Sequence, residues 1–442
     1  MLAALNSRTY RHLFAAQVLS LIGTGLTTVA LGLLAYDLAG ANAGMVLGTA
    51  LALKMVAYVG VAPVAAALAA NLPRRGFLVT LDILRAGMVM FLPFVTEIWQ
   101  IYLLVFAFQA GSAAFTPSFQ ATIPEVVTDD QQYAQALTLS RLANDLEALA
   151  SPLLAGLLLT VISFHWLFIG TALGFLASAG LILSVVLPLT RADGGGARFA
   201  RRVTRGLWIY LATPRLRGLL ALYFAAAAAG AMVYVNTVIH VRDRLAGSDA
   251  DVAVYLAVFG AGSIAAALVL PRLLAAASPR SVMLAGAGLL VAVLALAGLG
   301  FGYGAGLALW ALIGAGSALI ETPAGLLLRR SSHPEDGPAL FAADFALSHG
   351  CWLITYPAAG WLGLRFGLDT AFLVLALSAL ASVALALRLW PRLDPDVIAH
   401  VHDHPAGNHA AGSPETPLHH SHAFVIDDQH PVWHYPNRRP GH

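Results

Sequence analysis

Twelve long stretches with almost no charged side chains follow one another along this chain. A helix needs about 20 apolar residues to cross the roughly 30 Å hydrocarbon core of a bilayer. Charged residues make up only 11% of the 442 residues, whereas soluble domains carry about 25%. The sequence therefore predicts an all-α polytopic membrane protein and not an enzyme.

Short polar turns separate the predicted spans. A basic connection at 191–215 divides a first six-helix half, 1–190, from a second, 216–391. After residue 391 the chain is polar and rich in His and Pro, so we expect a disordered tail at 392–442. The twelve spans are predicted at 12–38, 43–70, 77–95, 98–121, 135–161, 165–189, 216–240, 250–271, 281–301, 303–328, 338–364 and 369–390.

The basic residues are unevenly distributed over the connections. If both termini are cytoplasmic, 19 of the 25 Lys and Arg residues lie on the cytoplasmic side and three on the other. Cytoplasmic loops carry such an excess, so we expect a multi-pass protein of the inner (plasma) membrane with both termini inside. A net charge of +2 gives no strong basic field for nucleic acid. We expect a monomer that requires no cofactor.

Three landmarks recur at an almost constant offset in the two halves. Pro73-Arg74 returns as Pro279-Arg280 and Thr116-Pro117 as Thr322-Pro323, each 206 residues later, while Pro152 in span five corresponds to Pro357 in span eleven. Such repetition predicts two related six-span halves with a solute site between them near the middle of the membrane.

The turn after span two, residues 66–75, resembles the major facilitator loop signature G-x-L-A-D-R-x-x-R-R, and residues 116–125 resemble the end of span four in one branch of that superfamily. The branch includes enterobactin exporters, macrolide efflux pumps and nickel-resistance exporters. The signature residues that help latch the cytoplasmic side are replaced here by Ala70 and Asn71. The resemblance therefore leaves gating to Arg74 and Arg75, supplemented by the i,i+3 pair Asp82 and Arg85.

Ionisable groups within the spans are expensive and by default mark function or pairing. Lys54 lies about 17 Å into span two, as a coupling site or as a structural partner of a carboxylate. In span five, Asn144 and Glu147 share one helical face, and Arg141 and Asp145 have i,i+4 spacing. Glu147 faces away from that pair, so we expect it to bind a proton or a cation.

Span eleven is the counterpart of span five and contains Asp344 and His349. If the halves face each other, both sets converge on the central cavity, where carboxylate and imidazole are possible transition-metal ligands. Glu321, in span ten, is interpreted either as a second coupling group or as a packing residue.

Ten of the 15 histidines lie at or after position 400. Neutral imidazoles bind Zn, Cu and Ni, and His-rich tracts commonly bind metal, so we predict that the tail can bind a divalent metal. The alternative is a solvated tail with no selected ligand. The predicted ligands are His400, His402, His404, His409, His419, His420, His422, His430 and His434.

Three hypotheses remain open at this point. The first is a proton-driven exporter of a divalent transition metal such as nickel, cobalt or zinc. The second is a proton-driven exporter of a drug or siderophore, favoured if the cavity is rich in aromatic residues. The third is a metal sensor that moves no solute. The aromatic candidates for the cavity are Tyr58, Phe108, Phe115, Trp352 and Tyr356.

Overall fold

A computed structural model describes residues 3–69, 72–127, 129–187, 196–333, 336–394, 397–402, 418–423, 425–427, 430 and 433. Within these ranges the side chains of 62–69, of much of 117–150, of 196–203, of Pro338 and of the two tail segments 397–402 and 418–423 are outside the description.

The N-terminal half contains six long helices. Ser7 caps the first by accepting a hydrogen bond from the Tyr10 backbone N–H, and Asp129 caps the fifth in the same way through Gln132, which satisfies backbone donors that have no partner within the helix. The helices are α1 (Arg8–Ala39), α2 (Ala43–Ala69), α3 (Arg74–Phe91), α4 (Ile98–Val126), α5 (Asp130–Leu159) and α6 (His165–Leu183).

The C-terminal half also contains six long helices, with two shorter ones. It is reached through a helix in the predicted linker, so that linker is partly helical and not only a loop. The helices are α7 (Gly196–Ala212) in the linker, then α8 (Pro214–Ile239), α9 (Asp249–Ala276), α10 (Pro279–Ala297), α11 (Tyr303–Glu321), α12 (Ala324–Arg329), α13 (Gly337–Phe366) and α14 (Leu368–Leu389).

Nine segments of the described chain are long and apolar enough to cross a membrane, and one of them, Arg8–Val61, contains both α1 and α2. The helix α13 is not among these segments. It carries Asp344 and His349, two of the ionisable residues predicted inside the membrane. Its composition fits a helix whose polar face is turned toward other helices and not toward lipid.

The recurring Thr-Pro motif has different outcomes in the two halves. In α4 the helix continues through Thr116-Pro117 to Val126, whereas in the C-terminal half α11 ends at Glu321 and a separate short helix, α12, follows Pro323. Predicted span ten is therefore interrupted. Pro152 and Pro357 both lie inside continuous helices.

The bundle has two ends. We call the end with Arg8, Arg75, α7 and Trp390 the terminal face, and the end with Gly40, His240 and Gly367 the far face. Across the terminal face, Arg75 donates to the Leu183 carbonyl and Arg280 to the Trp390 carbonyl. Each bond joins helices of one half, so each half has its own closure at this face.

The tail departs from the disordered chain predicted for it. Residues Val397–His402 (β1) and Leu418–Ala423 (β2) form an antiparallel hairpin. Beyond the hairpin, Ile426 and Trp433 are buried in the same apolar core as the helices. The carboxylate of Asp427 accepts hydrogen bonds from the His333 ring (3.1 Å) and from the His430 ring (2.9 Å).

Candidate functional site

A cavity of about 330 Å³ lies between the halves at the middle of the bundle. Seven of its lining residues come from α1, α2 and α5 of the N-terminal half, and four come from α8 and α13 of the C-terminal half. The lining comprises Gly25, Thr28, Leu51, Lys54, Met55, Tyr58, Pro152, Tyr234, His349, Trp352 and Tyr356. Both halves therefore contribute to one solute-sized chamber, as the repeat predicts.

A ring stack joins the halves across this cavity. The Tyr58 and His349 rings are nearly parallel, with an interplanar angle of 8° and centroids 5.8 Å apart. The Phe345 ring also packs on His349, with centroids 3.9 Å apart. The Lys54 ammonium lies 5.7 Å from the centre of the Tyr58 ring. Lys54 and His349, predicted from opposite halves, are therefore brought to the same wall.

The hydrogen bond of His349 fixes where its proton lies. Its Nδ1 is 2.7 Å from the carbonyl oxygen of Phe345. A carbonyl only accepts, so Nδ1 carries the proton, and a neutral His349 ring keeps its acceptor lone pair on Nε2. His349 can accept a hydrogen bond or ligate a metal only through that atom.

Aromatic rings continue along the C-terminal wall of the cavity. Trp352 contacts Tyr356 with ring centroids 5.0 Å apart and meets Tyr234 edge to face at 6.1 Å. Sequence reasoning identified Trp352 and Tyr356 but missed Tyr234. The other two candidates, Phe108 and Phe115, do not line the cavity; they pack inside the N-terminal half.

Asp344 lies on α13 and is held by two phenols. It accepts hydrogen bonds from Tyr210 of α7 (3.2 Å) and from Tyr223 of α8 (3.3 Å). Five residues separate it from His349, which places the two about 140° apart around the helix. They face different neighbours, and the structure does not bring them together as one ligand pair.

Glu321 lies at the end of α11, where the helix is interrupted. The Glu321 residue is exposed. It interacts electrostatically with both Tyr223 and Tyr356. Glu321 therefore interacts both with a phenol that binds Asp344 and with an aromatic residue of the cavity wall.

The halves meet closely at the far face. A Cβ added to Gly48 of α2 would lie 2.5 Å from the Tyr356 carbonyl oxygen of α13, and one added to Gly156 of α5 would lie 3.4 Å from the Ala253 Cβ of α9. The Tyr36 hydroxyl donates to Asp243, linking α1 to the turn after α8. The conformation is closed at this face, and no sequence pattern pointed to Tyr36 or Asp243.

The family model of the Major Facilitator Superfamily matches residues 13–242, half of the chain. The chain belongs to the major facilitator superfamily. It is a multi-pass membrane transporter of small solutes. A search of curated proteins gave no match.

Solved transporters of this superfamily share the fold. A POT family transporter in complex with 5-aminolevulinic acid has a TM-score of 0.72 at 13% identity, covering 87% of this chain and 96% of its own. A bacterial homologue of the human lysosomal transporter Spinster gives 0.69 at 14% identity, covering 86% and 97%. The nucleoside transporter NupG gives 0.68 at 13% identity, covering 86% and 98%. At these identities the likeness shows the fold alone.

The gating pair predicted for this transporter does not bridge the halves. Asp82 and Arg85 form a buried ion pair inside the N-terminal half, and Ser178 donates to Asp82 at 2.7 Å. The Arg85 guanidinium lies between the rings of Phe115 (4.1 Å) and Phe175 (4.3 Å). Because every one of these contacts is within one half, they give the pair no latch function between halves.

The predicted gating residue Arg75 also bonds within the N-terminal half, to the carbonyl of Leu183. Arg74 begins α3 beside it. The signature positions Ala70 and Asn71 lie outside the described residues. This major facilitator protein therefore shows its closure between halves at the far face.

The side chains of the predicted site residues in span five, and of most of those in the tail, lie outside the described part of the structure. Those of Arg141, Asn144, Asp145 and Glu147 lie outside the description, although the backbone of α5 is helical through all four. The same holds for the tail histidines apart from His430, since His404, His409 and His434 lie outside the described residues and His400, His402, His419, His420 and His422 are described by backbone only. In the rest of the transporter no group of three or more His, Cys, Asp or Glu side chains is arranged to hold a metal ion.

Proposed function

We propose that this transporter exports a small organic solute with a planar, aromatic body, in exchange for protons. The observation that carries the proposal is the composition of the central cavity. Its volume of about 330 Å³ lies at the lower end of the range of small-molecule sites. Four aromatic rings, those of Tyr58, Tyr234, Trp352 and Tyr356, line it.

Aromatic walls favour this class of solute because rings stack on rings and on flat conjugated groups. Such walls offer a hydrated metal ion no ligand atoms. A metal ion requires several ligands such as carboxylates, thiolates or neutral imidazoles. In the described lining, His349 supplies an imidazole and Met55 a thioether, but no carboxylate or thiolate is present. The cavity therefore supports an organic solute better than a metal ion.

The carboxylates beside the cavity are the proposed proton carriers. Asp344 accepts hydrogen bonds from two phenols, and Glu321 interacts electrostatically with one of them, Tyr223. A carboxyl group among neutral donors in a low-dielectric interior can gain or lose a proton as its surroundings change. Glu147 and Asp145 on α5 are proposed to act with them from the other half.

The terminal face is proposed to be cytoplasmic, in the inner membrane, because the Arg excess lies there. With the far face closed, the conformation is then the one that loads solute from the cytoplasm. Export is supported by the branch resemblance of residues 116–125. Superfamily transporters alternate by rocking one half against the other around a fixed site.

The proposal is tested in liposomes that contain a pH-sensitive dye. A fluorescent planar solute such as ethidium is supplied on one side, with and without a proton gradient. We expect gradient-dependent movement of the dye together with opposite movement of protons. The proposal fails if a correctly inserted protein moves no planar organic solute from a panel of cationic, neutral and anionic members.

The chain offers a matched pair of tryptophans for this assay. Trp352 lines the cavity, whereas Trp361, nine residues further along the same helix, is 51% exposed on the outside of the bundle. Trp352→Ala is expected to lower dye transport by at least about ten-fold, since stacking and packing at one ring are worth a kcal/mol or more. Trp361→Ala is expected to retain transport. Equal effects of the two variants would contradict the proposed solute site.

A second candidate, export of a divalent transition metal, is favoured by one observation. The neutral His349 ring keeps Nε2 as its acceptor atom in the wall of the cavity. The same liposomes loaded with a metal-sensitive dye test this candidate with nickel, cobalt and zinc in turn. Metal entry that is abolished by His349→Ala would select metal over the organic solute.

A further inference from the structure

One histidine at the far face is buried without any hydrogen bond. His240 begins the π-helical turn His240–Arg244, which follows α8. Its exposed fraction is 0%, and neither of its ring nitrogens has a hydrogen-bond partner among the described residues. A neutral imidazole has one N–H donor and one lone pair, and leaving such groups unsatisfied in the interior is costly. An apolar ring of the same shape would be more stable here, so packing alone does not account for His240.

Three aromatic rings pack against His240. The ring centroids lie 4.4 Å away for Phe301, 5.6 Å for Trp310 and 5.9 Å for Tyr255. The Trp310 ring is held in place because its Nε1–H donates to the Thr237 hydroxyl at 2.9 Å. Aromatic faces within about 6 Å attract a cation. The enclosure therefore suits a protonated ring as well as a neutral one, but it gives the N–H groups nothing to donate to.

The charged and titratable groups around His240 come from three elements. Arg244 of the same turn and Asp369 of α14 act on the imidazole with opposite signs, and they form an ion pair with each other. From α9 comes the Tyr255 hydroxyl, which already donates to a backbone carbonyl at 2.8 Å. The other two rings carry no titratable group. Among the described residues, His240 therefore has no acceptor for a second ring proton in this conformation.

The π-helical turn also joins the two halves of the bundle. Three residues after His240, the Asp243 carboxylate accepts the hydrogen bond of Tyr36 from α1. The guanidinium of Arg242 lies 5.5 Å from the centre of the Tyr36 ring and 3.1 Å from the Asp249 carboxylate. Single π-helical turns are frequent at functional sites. A movement of this turn would change the environment of His240 and the contact with Tyr36 together.

We propose that His240 is a proton-binding site of the far face, and that binding of its second proton opens the contact between Tyr36 and Asp243. An unpaired charge is far more costly to bury than a neutral polar group, so the closed conformation holds a neutral ring. The ring gains a proton only when the turn moves far enough for its nitrogens to reach water. That movement separates Asp243 from Tyr36. The proton comes from water at the far face and returns to it when the turn closes.

The direction of the pH effect follows from this linkage. A conformation that binds an additional proton gains population as the pH falls, so acid at the far face favours its opening. This opening is the step at which an exporter releases solute. The role in export rests on the proposed function, whereas the link between pH and opening is measured without any solute.

The test measures the separation of the halves at the far face in lipid nanodiscs. Spin labels are attached at Ala41 and Leu299, which are exposed on opposite halves, after the buried Cys351 has been replaced by Ala. The pH is lowered from about 8 to about 5, a range that brackets an ordinary imidazole. One titrating group changes an equilibrium by up to about ten-fold per pH unit. We expect the ratio of open to closed protein to rise by more than about ten-fold over this range.

The variants assign this rise to His240. His240→Phe is expected to keep the closed distance at high pH, to raise the melting temperature and to lose most of the rise on acidification. His240→Gln, which cannot gain a proton, is expected to lose the rise as well and serves if the larger ring disturbs folding. Tyr36→Phe removes the contact itself and is expected to increase the open population already at high pH.

The matched control is His165→Phe. His165 lies at the far face of the N-terminal half, where its ring stacks on Phe164 with centroids 4.1 Å apart, and this variant is expected to open with acid as the unmodified protein does. The proposal is overturned if the unmodified protein stays closed at low pH, or if either His240 variant still opens fully. It is also overturned if His165→Phe loses the rise as completely as His240→Phe. A protein that moves no planar solute can still give the expected distances, so failure of the proposed function is distinguishable from failure of this site.

Discussion

Each half of the bundle contains a polar aspartate among apolar helices, and the two differ in what binds them. Asp82 in the N-terminal half is fully buried, paired with Arg85 and bound by Ser178. Asp344 in the C-terminal half is only partly buried and accepts from the two phenols Tyr210 and Tyr223. A carboxylate fixed by a guanidinium stays charged, whereas one bound by neutral donors can exchange a proton. The comparison separates a structural aspartate from a candidate for coupling.

The largest expected effect comes from breaking the structural pair. Arg85→Ala leaves the Asp82 carboxylate buried without its cation, which costs about 3–5 kcal/mol. We expect a large drop in the melting temperature of the protein in detergent. The double variant Asp82→Leu/Arg85→Met should recover most of the stability, because well-packed apolar replacements of buried pairs are often neutral. A double variant as unstable as the single one would show that Asp82 and Arg85 do more than neutralise each other.

The opposite side of the comparison is Asp344→Asn. An amide can keep hydrogen bonds to both phenols but cannot release a proton. We expect the melting temperature to change little, by the equivalent of about 1 kcal/mol or less, while solute transport loses its response to a proton gradient. The matched control is Tyr223→Phe, which removes one donor and keeps the carboxylate. Gradient-driven transport that survives in Asp344→Asn would remove Asp344 from the coupling groups.

A third variant displaces the helix that carries Asp344 and leaves the helices around Asp82 in place. Gly48→Ala places a methyl group against the Tyr356 carbonyl of α13, the helix that carries Asp344, at a cost of about 1–3 kcal/mol for overpacking. Gly60 lies on the same helix α2 with nothing within 4 Å of its added Cβ, so Gly60→Ala is the control. We expect Gly48→Ala to separate the halves at the far face.

The separation is measured as the spin-label distance between α2 and α13 at that face. Labels on α3 and α6, which surround Asp82, should show no change. A distance that is equally altered by Gly60→Ala would contradict the close contact at Gly48.

The smallest expected effect concerns a third aspartate, bound by imidazoles. Burial alone would raise the pKa of Asp427, but hydrogen bonds from His333 and His430 outweigh it and lower the pKa below the usual value of a carboxyl group. Because the pKa is depressed in the docked state, the stabilisation is present above the ordinary carboxyl pKa of about 3.9 and is lost as the pH falls through the lower, docked value.

Docking of the tail should therefore persist from neutral pH down to about pH 4 as far as Asp427 is concerned. At neutral pH, Asp427→Asn should weaken docking by about 1 kcal/mol, the usual net contribution of a hydrogen bond. Hydrogen exchange at Ile426 and Asp427 measures this, with Asp37→Asn, an exposed carboxyl on the far face, as the control. Unchanged exchange in Asp427→Asn would mean that Ile426 and Trp433 alone hold the tail.

The sequence predicted the architecture well because the constraints on it are local. Apolar runs and the offset between Pro73 and Pro279 define twelve spans and two halves without any tertiary information. The same reasoning put Lys54 and His349 at the cavity, since a mid-span charge has few other places to lie. Within β1 only Ala399 to His402 alternate between apolar residues and histidine. The polar composition around this short pattern favours disorder, so the sequence alone does not predict the strand.

The remainder depended on how separate helices are placed. The phenols on Asp344 come from α7 and α8, and no spacing along the chain predicts that α7 packs against α13. The same is true of the Tyr36–Asp243 bond, whose partners are 207 residues apart. Asp82 and Arg85 have the spacing of an ion pair, but only the packing shows that their neighbours are Phe115 and Phe175 and not the opposite half. The prediction that Phe108 and Phe115 line the cavity is wrong for the same reason, because the sequence does not show how these helices pack.

The docked tail has one consequence for how this protein can be observed. Among the described tail residues, Asp427 bonds to His333, and the Trp433 ring lies 4.9 Å from the Arg215 guanidinium. His333 and Arg215 both belong to the C-terminal half. When the two halves rock against each other, the docked tail moves with the C-terminal half. The distance between a fluorophore on the tail and a second one on α3 would therefore change as the halves move. Neither label would lie in the solute path.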